Sequence, residues 1–202
     1  MADITSDYKT PDGRPLGTPH FNDLEKRYSE ERYTFVVPHF PAIYEDKRVL
    51  YVGCGYGAGT VEILRRGASF ITAVDLNPMA IDLANEHNSD PKIEYKTADW
   101  MDLKGTYDIV VAVELVEHLT TKELLASLKH WHKLLTSQGM LYITTPKRRL
   151  PKESYPEGSH FTEYDLEELQ DMIEPFGFTL VWTAGPQETD GISNVLLFQR
   201  TK

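Results

Sequence analysis

At 202 residues, with 41% hydrophobic and 26% charged side chains, the chain suits one domain with a substantial core. Its 31 acidic and 21 basic residues leave a formal charge of −10, a surface that repels nucleic-acid phosphates unless basic groups gather locally. One cysteine excludes an internal disulfide, and no apolar run reaches the length of a membrane span.

Residues 1–20 are rich in Pro, Gly, Asp and Thr without apolar periodicity and read as a mobile arm. The first residues also lack a charged-then-apolar signal pattern, so a reducing cytoplasm is the expected compartment. From residue 21 to 202 a single domain is expected, opening with a helical segment over 21–45 that offers Leu24, Tyr28, Tyr33, Phe35 and Val36 for burial. The core, 46–202, then alternates. A strand near 48–53 runs into VLYVGCGYGAGT at 49–60, which supplies Gly53, Gly55, Gly57 and Gly59 before a helix over 58–67. A second strand, 70–75, ends in Asp75, and Asn77-Pro78 opens a helix over 78–88. Further strands are expected near 92–96, 107–113 and 139–145, with a helix over 121–135. The tail reads as a helix from Tyr164 to Ile173 and two strands, 178–183 and 194–200.

Strand, glycine loop, helix, strand and acidic residue is how a Rossmann-like sheet holds an adenosine-containing ligand. Glycine lets the backbone turn tightly and approach the ligand where a Cβ would intrude. The Asp75 carboxylate would accept hydrogen bonds from ribose hydroxyls. The dinucleotide pattern is formally met by Gly53, Gly55 and Ala58, so an NAD-binding oxidoreductase stays open on the loop alone. No hydride-site constellation such as Tyr-x-x-x-Lys accompanies it.

The Gly-Cys-Gly loop, AVDLNP at 73–78, TAD at 97–99, VAVELVEHL at 111–119 and GMLYITTP at 139–146 together resemble the class I S-adenosylmethionine-dependent methyltransferases. The resemblance covers roughly residues 45–200, with all motifs in family order. It departs at Tyr51, where many family members carry an acidic residue. The resemblance implies an α/β fold: a mostly parallel seven-stranded sheet with an antiparallel C-terminal hairpin, helices on both faces and an N-terminal helical lid over the substrate side. It implies S-adenosyl-L-methionine as cofactor, with Gly53, Gly55 and Gly57 lining the methionine moiety, Asp75 on the ribose and Leu76 against the adenine. Asp99 would bond the adenine amino group and Trp100 would offer a stacking face, although a turn cap and core burial are the plainer roles for these two. Cys54 reads as a small buried residue of the loop.

His118 is the candidate general base, since a reference pKa near 6.5 suits proton abstraction around neutrality. It lies in Glu114-Leu-Val-Glu117-His118 after the fourth strand, where the family places substrate-facing groups, with Glu114 between cofactor and chemistry. Glu114, Glu117 and His118 have a spacing that one helical turn would bring together. With His160 they would form a site for Mg²⁺ or Mn²⁺. The ExxEH element resembles metal-dependent O-methyltransferases of quinone-pathway catechols and of small-RNA 3′ ends. Lys147, Arg148, Arg149 and Lys152 form a basic cluster beside the expected mouth, which an anionic acceptor would explain; a solvated loop is the plainer role. The leading expectation is methyl transfer to an oxygen of a small polar acceptor, a sugar or hydroxylated metabolite. RNA 2′-O-methylation and a non-catalytic activator subunit remain open, and the oligomeric state is not legible.

Overall fold

A computed structural model of the chain describes residues 43–148, 162–184 and 193–201. The arm over 1–20, the helical lid of 21–45 as far as residue 42, and His160, Arg149 and Lys152 lie outside the described residues. Seven strands form one sheet: β1 (Arg48–Val52), β2 (Phe70–Asp75), β3 (Ile93–Thr97), β4 (Tyr107–Val113), β5 (Leu135–Pro146), β6 (Phe178–Ala184) and β7 (Ser193–Arg200). Their order is β3-β2-β1-β4-β5-β7-β6. β7 runs antiparallel to both its neighbours, and the other described pairings are parallel. The expected fold class is the one found.

Among the described residues, four helices connect the strands: α1 (Ala58–Arg65), α2 (Pro78–His87), α3 (Thr121–Leu134) and α4 (Leu166–Ile173). Central strands are buried along nearly their whole length, as in VLYV of β1 and IVVAV of β4, because helices cover both sheet faces. Edge strand β3 (IEYKT) alternates instead. One face packs Leu124, Leu128 and Trp131 of α3 and Leu169 and Ile173 of α4 against Leu50, Val110 and Ile143. The other packs Ile63 of α1 and Ile81 of α2 with Tyr51, Val111 and Tyr142.

Local chemistry sets the helix ends. Thr120 and Glu123 form a reciprocal capping box at α3, a feature worth about 1 kcal/mol. The Asn77 side chain accepts from Met79 N–H, and Pro78 at the first position of α2 gives up no needed donor. Two boundaries differ from expectation. Tyr164 is not helical but fully buried in a parallel bridge to Lys147, and α4 starts after Asp165. β5 begins at Leu135, directly after α3, with a register shift before Met140.

Register aligns the functional edge. Val52 pairs with Val74 and with Ala112, and Val113 pairs with Thr144. The glycine loop, Asp75, Glu114 and the Thr144-Thr145 pair therefore all leave the sheet at its carboxyl edge, where open α/β sheets bind ligands. A cleft of about 490 Å³ at the opposite, amino-terminal edge is lined by Ile43, Asp108 and Thr136 among others, and holds none of the expected site residues.

Candidate active site

The glycine loop is shaped by three left-handed residues: Gly53 (φ 64°), Gly55 (φ 53°) and Gly57 (φ 88°). They differ in what surrounds them. A Cβ on Gly53 would lie 2.8 Å from the Leu115 side chain, and one on Gly57 would overlap the Tyr95 ring. A Cβ on Gly55 would meet nothing within 4 Å, so this glycine faces the open side of the loop. The loop is locked from beneath by Tyr95 of β3. Its hydroxyl is hydrogen-bonded to Thr60 Oγ1 and lies 3.2 Å from Asn88 O, and Thr60 Oγ1 is within hydrogen-bond reach of Gly57 O, so the two hydroxyl protons are shared among these contacts. Burial pushes the Tyr95 phenol up to about 12, so it stays a donor at any working pH.

Tyr51, the departure from the family pattern, is buried beneath α1. Its hydroxyl lies 2.6 Å from where a Cβ of Gly59 would sit, so Gly59 makes room for it. Cys54 is buried, as expected. Its thiol is pushed well above the ordinary range by burial and then by the charge of Asp75, which leaves it unreactive.

Asp75 connects two elements. Its Oδ2 accepts from Gly55 N–H and its Oδ1 from Asn77 N–H, each at 2.9 Å. Burial raises its pKa above the ordinary value, against the lowering effect of these backbone donors. Leu76 follows, half-buried and part of neither core cluster.

Asp99 caps the short 3₁₀ turn Trp100–Asp102 by accepting from Met101 N–H at 2.8 Å. Trp100 turns inward. It is 7% exposed, donates to Ser127 Oγ at 3.0 Å and packs on Trp131 with ring centroids 6.4 Å apart. The expected stacking face is therefore committed to the core, and Met101 is the residue left exposed there.

After β4 the chain does not make the helical turn that the ExxEH spacing implied. Glu114 adopts a left-handed conformation (φ 50°), followed by a 3₁₀ turn over Val116–His118. Glu117 and His118 meet: Glu117 Oε1 lies 3.9 Å from His118 Nε2, the carboxylate buried and the imidazole 46% exposed. Glu114 goes elsewhere, accepting from Thr144 Oγ1 at 3.0 Å, while Thr145 Oγ1 donates to Glu117 Oε2 at 3.0 Å. Consecutive strand residues point to opposite faces, so the two glutamates are anchored on different sides of β5. Among the described residues no group of three His, Cys, Asp or Glu is placed to hold a metal ion.

The basic cluster is partly spent inside the fold. Arg148 donates to Asp165 at 3.0 Å, to Glu168 and to the Glu163 carbonyl. Lys147 is exposed. The paired threonines and the Tyr95 lock were missed in the sequence; a buried Thr-Thr at a strand end level with two glutamates was the available signal.

The glycine loop, the aspartate that ends β2 and the strand order match the pattern of a nucleoside-cofactor site on a Rossmann-like sheet. Residues 23–183 match the family model described as methyltransferase domain, and the chain belongs to that family. Among its relatives is the mitochondrial ubiquinone biosynthesis O-methyltransferase of Schizosaccharomyces pombe, 32% identical over 154 residues, with 65% of this chain and 55% of that one covered. The chain thus spans little more than half of that relative. The ubiquinone biosynthesis O-methyltransferase of Pelagibacter ubique is 28% identical over 175 residues, covering 82% of this chain and 70% of that one. In structure, the 1,6-didemethyltoxoflavin-N1-methyltransferase of Burkholderia thailandensis, solved with S-adenosylhomocysteine, superposes with a TM-score of 0.72 at 20% identity, covering 89% of this chain and 82% of the other. That likeness is one of fold.

Proposed function

We propose that this chain transfers the methyl group of S-adenosyl-L-methionine to a hydroxyl oxygen of a small acceptor. The observation that carries this reading is the Asp75 carboxylate bridging Gly55 and Asn77 N–H at the open side of the glycine loop. Each carboxylate oxygen accepts more than one hydrogen bond, so Asp75 keeps capacity for two ribose hydroxyls. Gly53, Gly55 and Gly57 line the methionine moiety, the N-terminus of α1 favours its carboxylate, and Leu76 and Asp99 take the adenine.

Bound S-adenosylmethionine supplies a methyl group already activated on a sulfonium. The protein holds the acceptor in line and excludes water, and orientation alone is worth roughly 7–11 kcal/mol. His118 removes the proton from the attacking hydroxyl. Glu117, buried beside it, orients the ring and stabilises the imidazolium that forms, by the logic of a carboxylate-oriented base.

The names of the relatives support a hydroxylated quinone precursor as acceptor in place of the sugar expected from the sequence. The test is transfer of labelled methyl from S-adenosylmethionine to a vicinal dihydroxybenzoate and, in parallel, to a nucleotide sugar. Methylation of the aromatic that is lost in His118→Ala supports the proposal; transfer to the sugar alone overturns the acceptor class.

A second reading adds a divalent ion held by Glu114, Glu117, His118 and His160, which would lower the pKa of a bound hydroxyl. The meeting of Glu117 and His118 favours it; the turning of Glu114 toward Thr144 does not. Titrating Mn²⁺ alone into the protein decides: stoichiometric binding lost in His160→Ala supports the ion, and no binding removes it.

A further inference from the structure

Three bonds join Glu114 to one residue. Its backbone N–H donates to Thr144 O at 2.9 Å and reaches Thr144 Oγ1 at 3.2 Å, and Thr144 Oγ1 donates in turn to Glu114 Oε1 at 3.0 Å. A hydroxyl offers one donor and two acceptor sites, so a single threonine serves the Glu114 main chain and side chain together. Glu114 also carries a left-handed φ of 50°, which a residue with a Cβ holds only when its surroundings enforce it. Thr144 is fully buried.

The direction of the hold matters. Thr144 shares its face of β5 with Tyr142, the face that packs Tyr51 and α1. Ala112 is registered with Val52, so Glu114 leaves β4 level with the glycine loop, and the neighbouring Leu115 lies against Gly53. Of the other acidic residues that end or directly follow β2, β3 and β4, Asp75 serves Gly55 and Asn77, Asp99 caps its own turn, and Glu117 is anchored on the opposite face. A cofactor with its methionine end at the glycine loop would carry its ammonium group toward this part of the edge.

We propose that Thr144 is a positioning residue that holds Glu114 in its left-handed conformation so that the carboxylate receives the ammonium of the cofactor. This rests on the reading of the glycine loop as a methionine-moiety site. Glu114 thereby belongs to the cofactor and Glu117, through Thr145, to the acceptor side: two glutamates of one short motif sorted by two consecutive threonines.

The test is calorimetry of S-adenosylhomocysteine and of its deaminated analogue, in buffer with chelator so that no divalent ion contributes. Removing the hydroxyl in Thr144→Val should weaken S-adenosylhomocysteine about tenfold or more, the scale of a lost hydrogen bond to a charged group. Thr144→Ala should behave likewise, and Thr144→Ser should restore affinity. Thr145→Val should leave this affinity unchanged. Against the deaminated analogue, Thr144→Val and wild type should bind alike, a difference that a general loss of packing would not produce. Equal weakening toward both ligands overturns the proposal, as does unchanged binding in Thr144→Val while Glu114→Gln is weakened. Unchanged binding in Glu114→Gln itself overturns the role of Glu114. Failure of wild type to bind S-adenosylhomocysteine would instead refute the underlying reading of the loop.

Discussion

Two glycines of the loop, two residues apart, should fail in different ways when given a methyl group. At Gly57 the added Cβ falls within 2.9 Å of Tyr95 ring atoms, and the Tyr95 hydroxyl is tied to Thr60 and Asn88. The ring has no easy retreat. Overpacking of about 1–3 kcal/mol adds to roughly 1 kcal/mol for the left-handed conformation, so Gly57→Ala should lose about 2–4 kcal/mol. Given a shift of about 2–4 °C per kcal/mol for a domain of this size, the melting temperature should fall on the order of 10 °C. At Gly55 the Cβ meets nothing within 4 Å, so only the conformational cost remains. Gly55→Ala should therefore lose about 1 kcal/mol and melt only about 2–4 °C lower. Its defect should be in binding, because its Cβ enters the space proposed for the cofactor. Thermal melts with and without S-adenosylhomocysteine separate the two. At about 100 times the dissociation constant the ligand should add roughly 2.7 kcal/mol to wild type, and that gain should vanish in Gly55→Ala. A Gly55→Ala protein that keeps the full ligand-induced shift would refute the placement of the cofactor over this residue.

Asp75 should make cofactor affinity depend on pH. In the proposed site ribose hydroxyls donate to the carboxylate, so affinity should drop as pH falls through the Asp75 titration, which burial raises from the ordinary value. Asp75→Asn should bind weakly and flatten that dependence in a calorimetric series. The same shift acts oppositely on the unliganded fold: a raised folded-state pKa contributes stability below about pH 3.8 that is lost as pH rises through the folded value. His118→Ala should lower turnover about 10²–10⁴-fold with cofactor affinity unchanged, and equal turnover would remove His118 as base. Trp100→Ala should cost about 3–5 kcal/mol of stability while residual folded protein binds S-adenosylhomocysteine normally. A binding defect without a stability defect would return Trp100 to the adenine site.

What was legible in the sequence followed from short-range rules. Continuous apolar runs such as LYV and IVVAV, punctuated by glycine and Asn-Pro, report a buried parallel strand and its turn directly, and Asp75 and the glycines needed no tertiary information to be found. The 3₁₀ turn at Trp100 was different. Either Trp100 or Met101 had to face inward, and the choice depended on Ser127 and Trp131 of α3, which wait across the core. Arg148 read as part of a basic cluster, solvated or facing an anionic acceptor, because its partners Asp165 and Glu168 lie on the far side of a long intervening segment.

The ExxEH motif shows why spacing alone misleads at a functional edge. An i, i+3, i+4 pattern gathers side chains only if the backbone is helical, and helical backbone requires φ near −60° at each residue. Glu114 breaks that condition, and the compensation is tertiary: a buried hydroxyl on β5 that satisfies its N–H and its carboxylate together. The neighbouring Thr145 donates to the Glu117 carboxylate on the other face. The placement of the motif's carboxylates is therefore set by the strand beside it and not by the motif's own periodicity, with Thr144 and Thr145 holding Glu114 and Glu117 on opposite sides of β5.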